Sequence, residues 1–167
     1  MAEKGKDVQP PKGLSRVAWR SAIWLYRIGL GSLLGERMLL LNHTGRKSGK
    51  LRQAVLEVVE HDTGTGAYIV ASGFGEKSDW FKNIIAHPAV SIQVGNTCLV
   101  ALADRVPLEQ AKEIMSSYNR RHPKLLRSLA GGLGYRSDGS DDDARFFAES
   151  IPLVALIPVG QPGVGDK

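Results

Sequence analysis

The sequence predicts a mainly β domain with flanking helices (α+β), built as a small six-stranded barrel, and three observations predict it. Six short apolar stretches with strand-like composition fall between residues 37 and 159. Turn-forming residues separate them, as at residues 61–66 and at Gly95-Asn96. Only one connection long enough to cross between parallel strands interrupts the series, so a parallel βαβ order is not expected.

Residues 1–13 read as a disordered arm, being polar and containing Pro10-Pro11. Residues 14–34 predict an amphipathic helix, and at about 100° per residue Arg16, Arg20 and Arg27 share an arc of about 40°. Leu14, Val17, Leu25 and Ile28 give it apolar surface, although Ile23 interrupts the basic arc. Such a helix is expected to cover one end of the core, and its Arg and Trp pattern also suits an anionic membrane face. The barrel domain then occupies residues 35–159, with strands over 37–43, 52–60, 68–72, 89–94, 98–103 and 153–159. Between the third and fourth strands a short helix is capped by Ser78 or Asp79 and stops before Pro88. Pro107 opens a longer helix, with Leu108, Ala111, Met115 and Tyr118 at helical spacing and Arg120, Arg121 and His122 at its dipole-negative end. A short helical piece over 124–130, flexible links over 131–134 and 137–143, and a turn or two over 144–150 lead to the last strand. That strand is apolar on both faces and reads as buried, with Pro152 and Pro158 at its ends. Residues 160–167 are a tail.

The 167 residues suffice for one domain with a real core. Lysine and arginine number 22 against 17 aspartates and glutamates, a net charge of +5 that favours an acidic partner. Nucleic acid is not expected, because the aromatics are few and are not interleaved with the basic residues as a stacking platform requires. Cys98 has no partner for an internal disulfide and reads as strand core, and no signal peptide is visible. A cytoplasmic location is therefore expected, peripheral on the inner membrane face if the first helix binds lipid. Residues 23–41, the most apolar region, are interrupted by Arg27, Glu36 and Arg37, so no membrane span is expected.

The stretch with most chemistry is residues 42–52, a strand-turn-strand connection carrying Arg46, Lys47, Lys50 and Arg52, the hydroxyls of Thr44 and Ser48, and Gly45 and Gly49. Backbone N–H groups in a tight turn and guanidinium forks can together hold an anion. Taken alone, the loop reads more readily as a solvated hairpin tip. It fails the P-loop pattern, because three residues separate Gly45 from Gly49 and Leu51 stands where Ser or Thr would bind magnesium. His43, His61, His87 and His122 have no metal-ligand spacing with one another or with Cys98, and no metal is expected. No G-x-S-x-G elbow occurs, and no catalytic side chain is assigned. Small residues at Ala71-Ser72-Gly73 would let a flat ligand approach the backbone. Trp80 and Asn83 share a helix face; the alternative for them is that Trp80 anchors the helix and Asn83 caps its end.

Four blocks in order, Thr44-Gly45-Arg46-Lys47-Ser48-Gly49 with Arg52, Val70-Ala71-Ser72-Gly73, Asp79-Trp80-Phe81-Lys82-Asn83 and Ala86-His87-Pro88-Ala89-Val90, resemble the deazaflavin-dependent nitroreductase family of the flavin and deazaflavin oxidoreductases. The resemblance covers about residues 38–106 and implies a split β-barrel that binds the acidic deazaflavin coenzyme F420. It implies that Arg46, Lys47 and Ser48, beside Thr44, hold the phosphate. Arg52 and the strand it opens, with Gln53, Ala54 and Val55, would flank the ring and linker. Val70, Ala71, Ser72 and Gly73 would line the ring edge, and Asp79, Trp80 and Asn83 would close the pocket. The implied activity is hydride transfer from reduced F420 to an activated alkene, a quinone or a nitro compound. FMN is the runner-up coenzyme. An FMN- or haem-binding split barrel, an F420 carrier without turnover, and an anionic-surface binding module are the alternatives, and pairing of barrels into a homodimer is a further expectation. The family's nitroreducing members carry tyrosines after the post-barrel helix. Here residues 122–128 hold none, the nearest being Tyr118 and Tyr135, so nitroreduction is not carried over.

Overall fold

The computed structural model describes residues 3–4, 35–124, 126–127 and 135–160. Its strands are β1 (Glu3–Lys4), β2 (Met38–Thr44), β3 (Leu51–Asp62), β4 (Ala67–Ala71), β5 (Ala89–Val94), β6 (Thr97–Arg105), β7 (Tyr135–Arg136) and β8 (Leu153–Pro158). Its helices are α1 (Asp79–Ala86), α2 (Leu108–Arg121) and α3 (Asp141–Ser150). Six strands close a barrel in the order β2-β3-β4-β8-β6-β5, and every neighbouring pair is antiparallel. The mainly β barrel with flanking helices is thus the architecture found.

Period-two alternation decides which side chains fill the barrel. Leu39 and Leu41 of β2, Leu56 of β3, Tyr68 and Val70 of β4, Val90, Ile92 and Val94 of β5, Ala101 of β6, and Val154 and Leu156 of β8 form the interior core. Phe81 and Ile84 of α1 belong to the same core, so α1 closes one mouth of the barrel. A second core lies outside the sheet, where Ile69 and Leu153 meet Ala111, Ile114, Met115 and Tyr118 of α2 and Ala144, Phe147 and Ala148 of α3. The β5–β6 hairpin turns on Gly95-Asn96, and the positive φ of Gly95 (55°) is what a two-residue hairpin turn requires.

Several expectations are corrected. Within the arm expected to be disordered, Glu3–Lys4 pairs antiparallel with Tyr135–Arg136. The turn expected over 61–66 is shorter, because β3 continues to Asp62. The link expected over 137–143 ends in α3: Ser140 Oγ accepts from the Asp143 N–H at 3.2 Å, and Asp141, Asp142 and Asp143 occupy the positive end of the helix dipole. Cys98 is exposed rather than core, because it lies on the outward face of β6 with exposed Val100 and Leu102, while Leu99 and Ala101 turn to the interior core. The last strand is not buried throughout, since Ile157 and Val159 are exposed at its end. The helix expected over 14–34, with Arg16, Arg20 and Arg27, and the tail from residue 161 lie outside the described residues. No helix among the described residues is long and apolar enough to cross a membrane.

Candidate functional site

The basic loop joins β2 to β3 at the mouth that α1 closes. Inward alternation along β2 runs Leu39, Leu41, His43, so the imidazole lies under α1, 4% exposed and directly opposite Arg52 on β3. Asn83, 5% exposed, projects from α1 into the same place, with its Nδ2 3.2 Å from His43 Nδ1. Asn83 Oδ1 accepts from the Arg46 backbone N–H at 3.0 Å and from Arg46 Nη1 at 2.9 Å. The Arg46 guanidinium also reaches Asp79 Oδ1 at 3.2 Å through both terminal nitrogens. Asp79 and Asn83 lie one helical turn apart on α1, so a single arginine spans both.

Burial and the facing Arg52 charge push the His43 pKa down to about 4, against a smaller opposing effect of Asp79. The imidazole is therefore neutral at neutral pH. Asn83 Oδ1 already takes two donors, so its amide N–H must face His43, whose Nδ1 then accepts and whose proton sits on Nε2.

The loop satisfies most of its own backbone. Gly45 N–H donates to the Lys50 carbonyl and Gly49 N–H to the Gly45 carbonyl, both at 2.8 Å, and Lys50 N–H donates to Ser48 Oγ at 3.3 Å. With the Arg46 N–H on Asn83, the expected nest of free backbone donors is reduced to Lys47 and Ser48. The donors the loop leaves for an anion are therefore chiefly side chains. Lys47, Lys50 and Arg52 are exposed, and among the described residues their charged groups form no ion pair or hydrogen bond. Gly49 adopts φ 65°, and a Cβ on Gly45 would stand 2.7 Å from Ser48 Oγ, so both glycines keep the loop tight.

Thr44, Arg46, Lys47, Ser48, Arg52, Asp79 and Asn83 are therefore gathered at the mouth. Trp80 is half-buried against the interior core and meets Phe81 edge-on at 6.1 Å, so it anchors α1. Asn83 does not cap its helix with its side chain. Gln53 faces outward and donates to Asn42 Oδ1 at 2.8 Å, and Asn42 Nδ2 donates to Ser91 Oγ at 3.2 Å, a polar row across β3, β2 and β5. Ala54 packs toward the interior core, and Val55 is buried on the outer face opposite Leu40. Val70 is fully buried inside the barrel, and Ala71 packs on the outer core. Ser72, also fully buried, donates to the Gly75 carbonyl at 2.7 Å and lies 2.9 Å from Ser78 Oγ, and half-buried Gly73 follows it. Ser78 immediately precedes Asp79 on α1, so the Ser72 end of this segment lies beside the same mouth of the barrel as the basic loop. Reading by residue type passed over His43 as a working residue; its place in the Leu39, Leu41, His43 alternation was the available signal.

A family model described as F420H(2)-dependent quinone reductase matches residues 20–129. The description names a quinone as acceptor rather than a nitro compound. Among solved structures, one described as the F420-H2 dependent reductase FDR-A is similar at 22% identity and TM-score 0.50, over 73% of this chain and 95% of that one. A protein of unknown function from Agrobacterium tumefaciens is similar at 18% identity and TM-score 0.53, over 91% of this chain and 60% of that one. A conserved hypothetical protein from Mycobacterium tuberculosis gives 14% identity and TM-score 0.51, over 99% and 97%. At these identities the structural likeness speaks for the fold.

Proposed function

Because the chain belongs to the F420H2-dependent quinone reductase family, we propose that its barrel mouth holds the acidic part of F420 on Lys47, Lys50 and Arg52 and that the acceptor is a quinone. It is an oxidoreductase whose coenzyme is F420, and the family carries that much. The observation that carries the finer reading is the set of three exposed cations around one loop, at the end of β3, that form no ion pair among the described residues. The donor set fits the coenzyme, since ammonium and guanidinium groups bind phosphate and carboxylate oxygens alike.

When bound, reduced F420 supplies a hydride, which with one solvent proton takes a quinone to the hydroquinone. The protein's part is to bind and orient. Lys47, Lys50 and Arg52 fix the acidic end of the coenzyme.

Titration of the purified protein with F420, with FMN as control, tests this. Each exposed cation is worth about 1 kcal/mol, so the K47A/K50A/R52A variant should bind F420 about a hundredfold more weakly, with a shallower salt dependence. A wild-type protein that ignores F420, or a triple variant that binds unchanged, would refute the reading.

A further inference from the structure

The loop that carries the cations is fastened to the rest of the protein at one point. Among the described residues, every side-chain hydrogen bond from residues 45–50 to another element involves Arg46 and ends on α1, at Asp79 or Asn83. Asp79 is largely exposed, so its ion pair with Arg46 is screened by solvent. Asn83 is buried, and its carbonyl takes both the backbone and the side chain of Arg46. This use of the amide is possible only if the other side of Asn83 meets an acceptor. His43 Nδ1 is that acceptor, at 3.2 Å, and it is one only as the neutral Nε2–H tautomer. The groups facing the imidazole are Arg52 across the strand pair and Asp79 on α1, and the larger effect, that of Arg52, opposes a second positive charge there.

We propose that Asn83, oriented by neutral His43, is the positioning residue for the coenzyme's acidic part: it latches the β2–β3 loop to α1 so that Lys47 and Lys50 are held together at the mouth. This rests on the functional reading above and extends it, since both ends of the Asn83 amide are engaged within the protein and act on the loop. The residue type is specific. Alanine removes all three bonds, and aspartate keeps the acceptor side toward Arg46 but cannot donate to His43.

The test uses ¹⁵N-labelled full-length protein and F420. In the wild type, the His43 ring nitrogens should report the Nε2–H tautomer at neutral pH. In Asn83→Ala, the Arg46 amide should exchange with solvent about tenfold faster or more, and the F420 Kd should rise about tenfold. Asn83→Asp, which stays folded if the alanine variant does not, should move the His43 titration midpoint upward by forming an ion pair. An Nδ1–H tautomer or an imidazolium in the wild type at neutral pH overturns the latch. So does unchanged Arg46 exchange in Asn83→Ala, or a loop released there without loss of F420 affinity. Failure of the wild type to bind F420 overturns the functional reading instead, and the tautomer and exchange measurements then still decide whether Asn83 holds the loop.

Discussion

Acidification should destabilise this protein through His43. In the folded chain the imidazole stays neutral down to about pH 4, whereas in the unfolded chain it takes a proton near its ordinary value of 6.5. Between those values the unfolded state binds more protons, so stability falls as pH falls. The contribution is fully present above pH 6.5, is lost progressively to about pH 4, and changes no further below that. At about 1.4 kcal/mol per pH unit the window is worth roughly 3–4 kcal/mol at most. The physical source is twofold. The charged ring would be buried beside Arg52, and its new Nδ1–H would face the amide N–H of Asn83. Urea unfolding followed by tryptophan fluorescence at about pH 7, 5.5 and 4 measures the slope. His43→Asn offers an acceptor near the Nδ1 position and does not titrate, so subtracting its slope cancels the carboxylates common to both proteins. If the two proteins lose stability equally over that range, the account of His43 is wrong.

Two further variants address packing. Phe147→Ala should cost about 3–5 kcal/mol by opening a cavity between α3 and the sheet, where Phe147 is 1% exposed; a urea midpoint close to wild type would mean that the outer core collapses around the loss. Tyr118→Phe removes the hydroxyl that donates to Glu57 Oε1 at 3.0 Å and should cost about 1–2 kcal/mol. Burial and the Glu57 carboxylate hold that phenol well above its usual pKa, so the loss should be constant up to mildly alkaline pH. A loss that changes between neutral and mildly alkaline pH would show that the phenol ionises there and that the bond has been misread.

The strands were legible because alternation and turn residues act over short distances. Val90, Ile92 and Val94 announce one buried face, and Gly95-Asn96 announces the hairpin, before any partner strand is known. Legibility failed where a distant element decides the outcome. Asp141, Asp142 and Asp143 look like linker residues, yet the Ser140 cap and the apolar contacts of Ala144, Phe147 and Ala148 with α2 carry the helix through them. Cys98 looks like core by composition, but barrel closure makes its face of β6, shared with exposed Val100 and Leu102, the outer one.

For the site, the sequence by itself determined which charges are available: Arg46, Lys47, Lys50 and Arg52 are set close together by covalent spacing alone. Their motif order, with Asp79 and Asn83 following, was also enough to point to a deazaflavin coenzyme. Only the tertiary structure divided those cations by role. It folds α1 back over the barrel mouth, 37 residues from Arg46 to Asn83 along the chain, and so commits Arg46 to holding the loop while Lys47, Lys50 and Arg52 face solvent. The physical reason is that a buried amide must be satisfied on both sides, and the partners that satisfy Asn83, Arg46 and His43, are brought to it by barrel closure rather than by any local pattern in the chain.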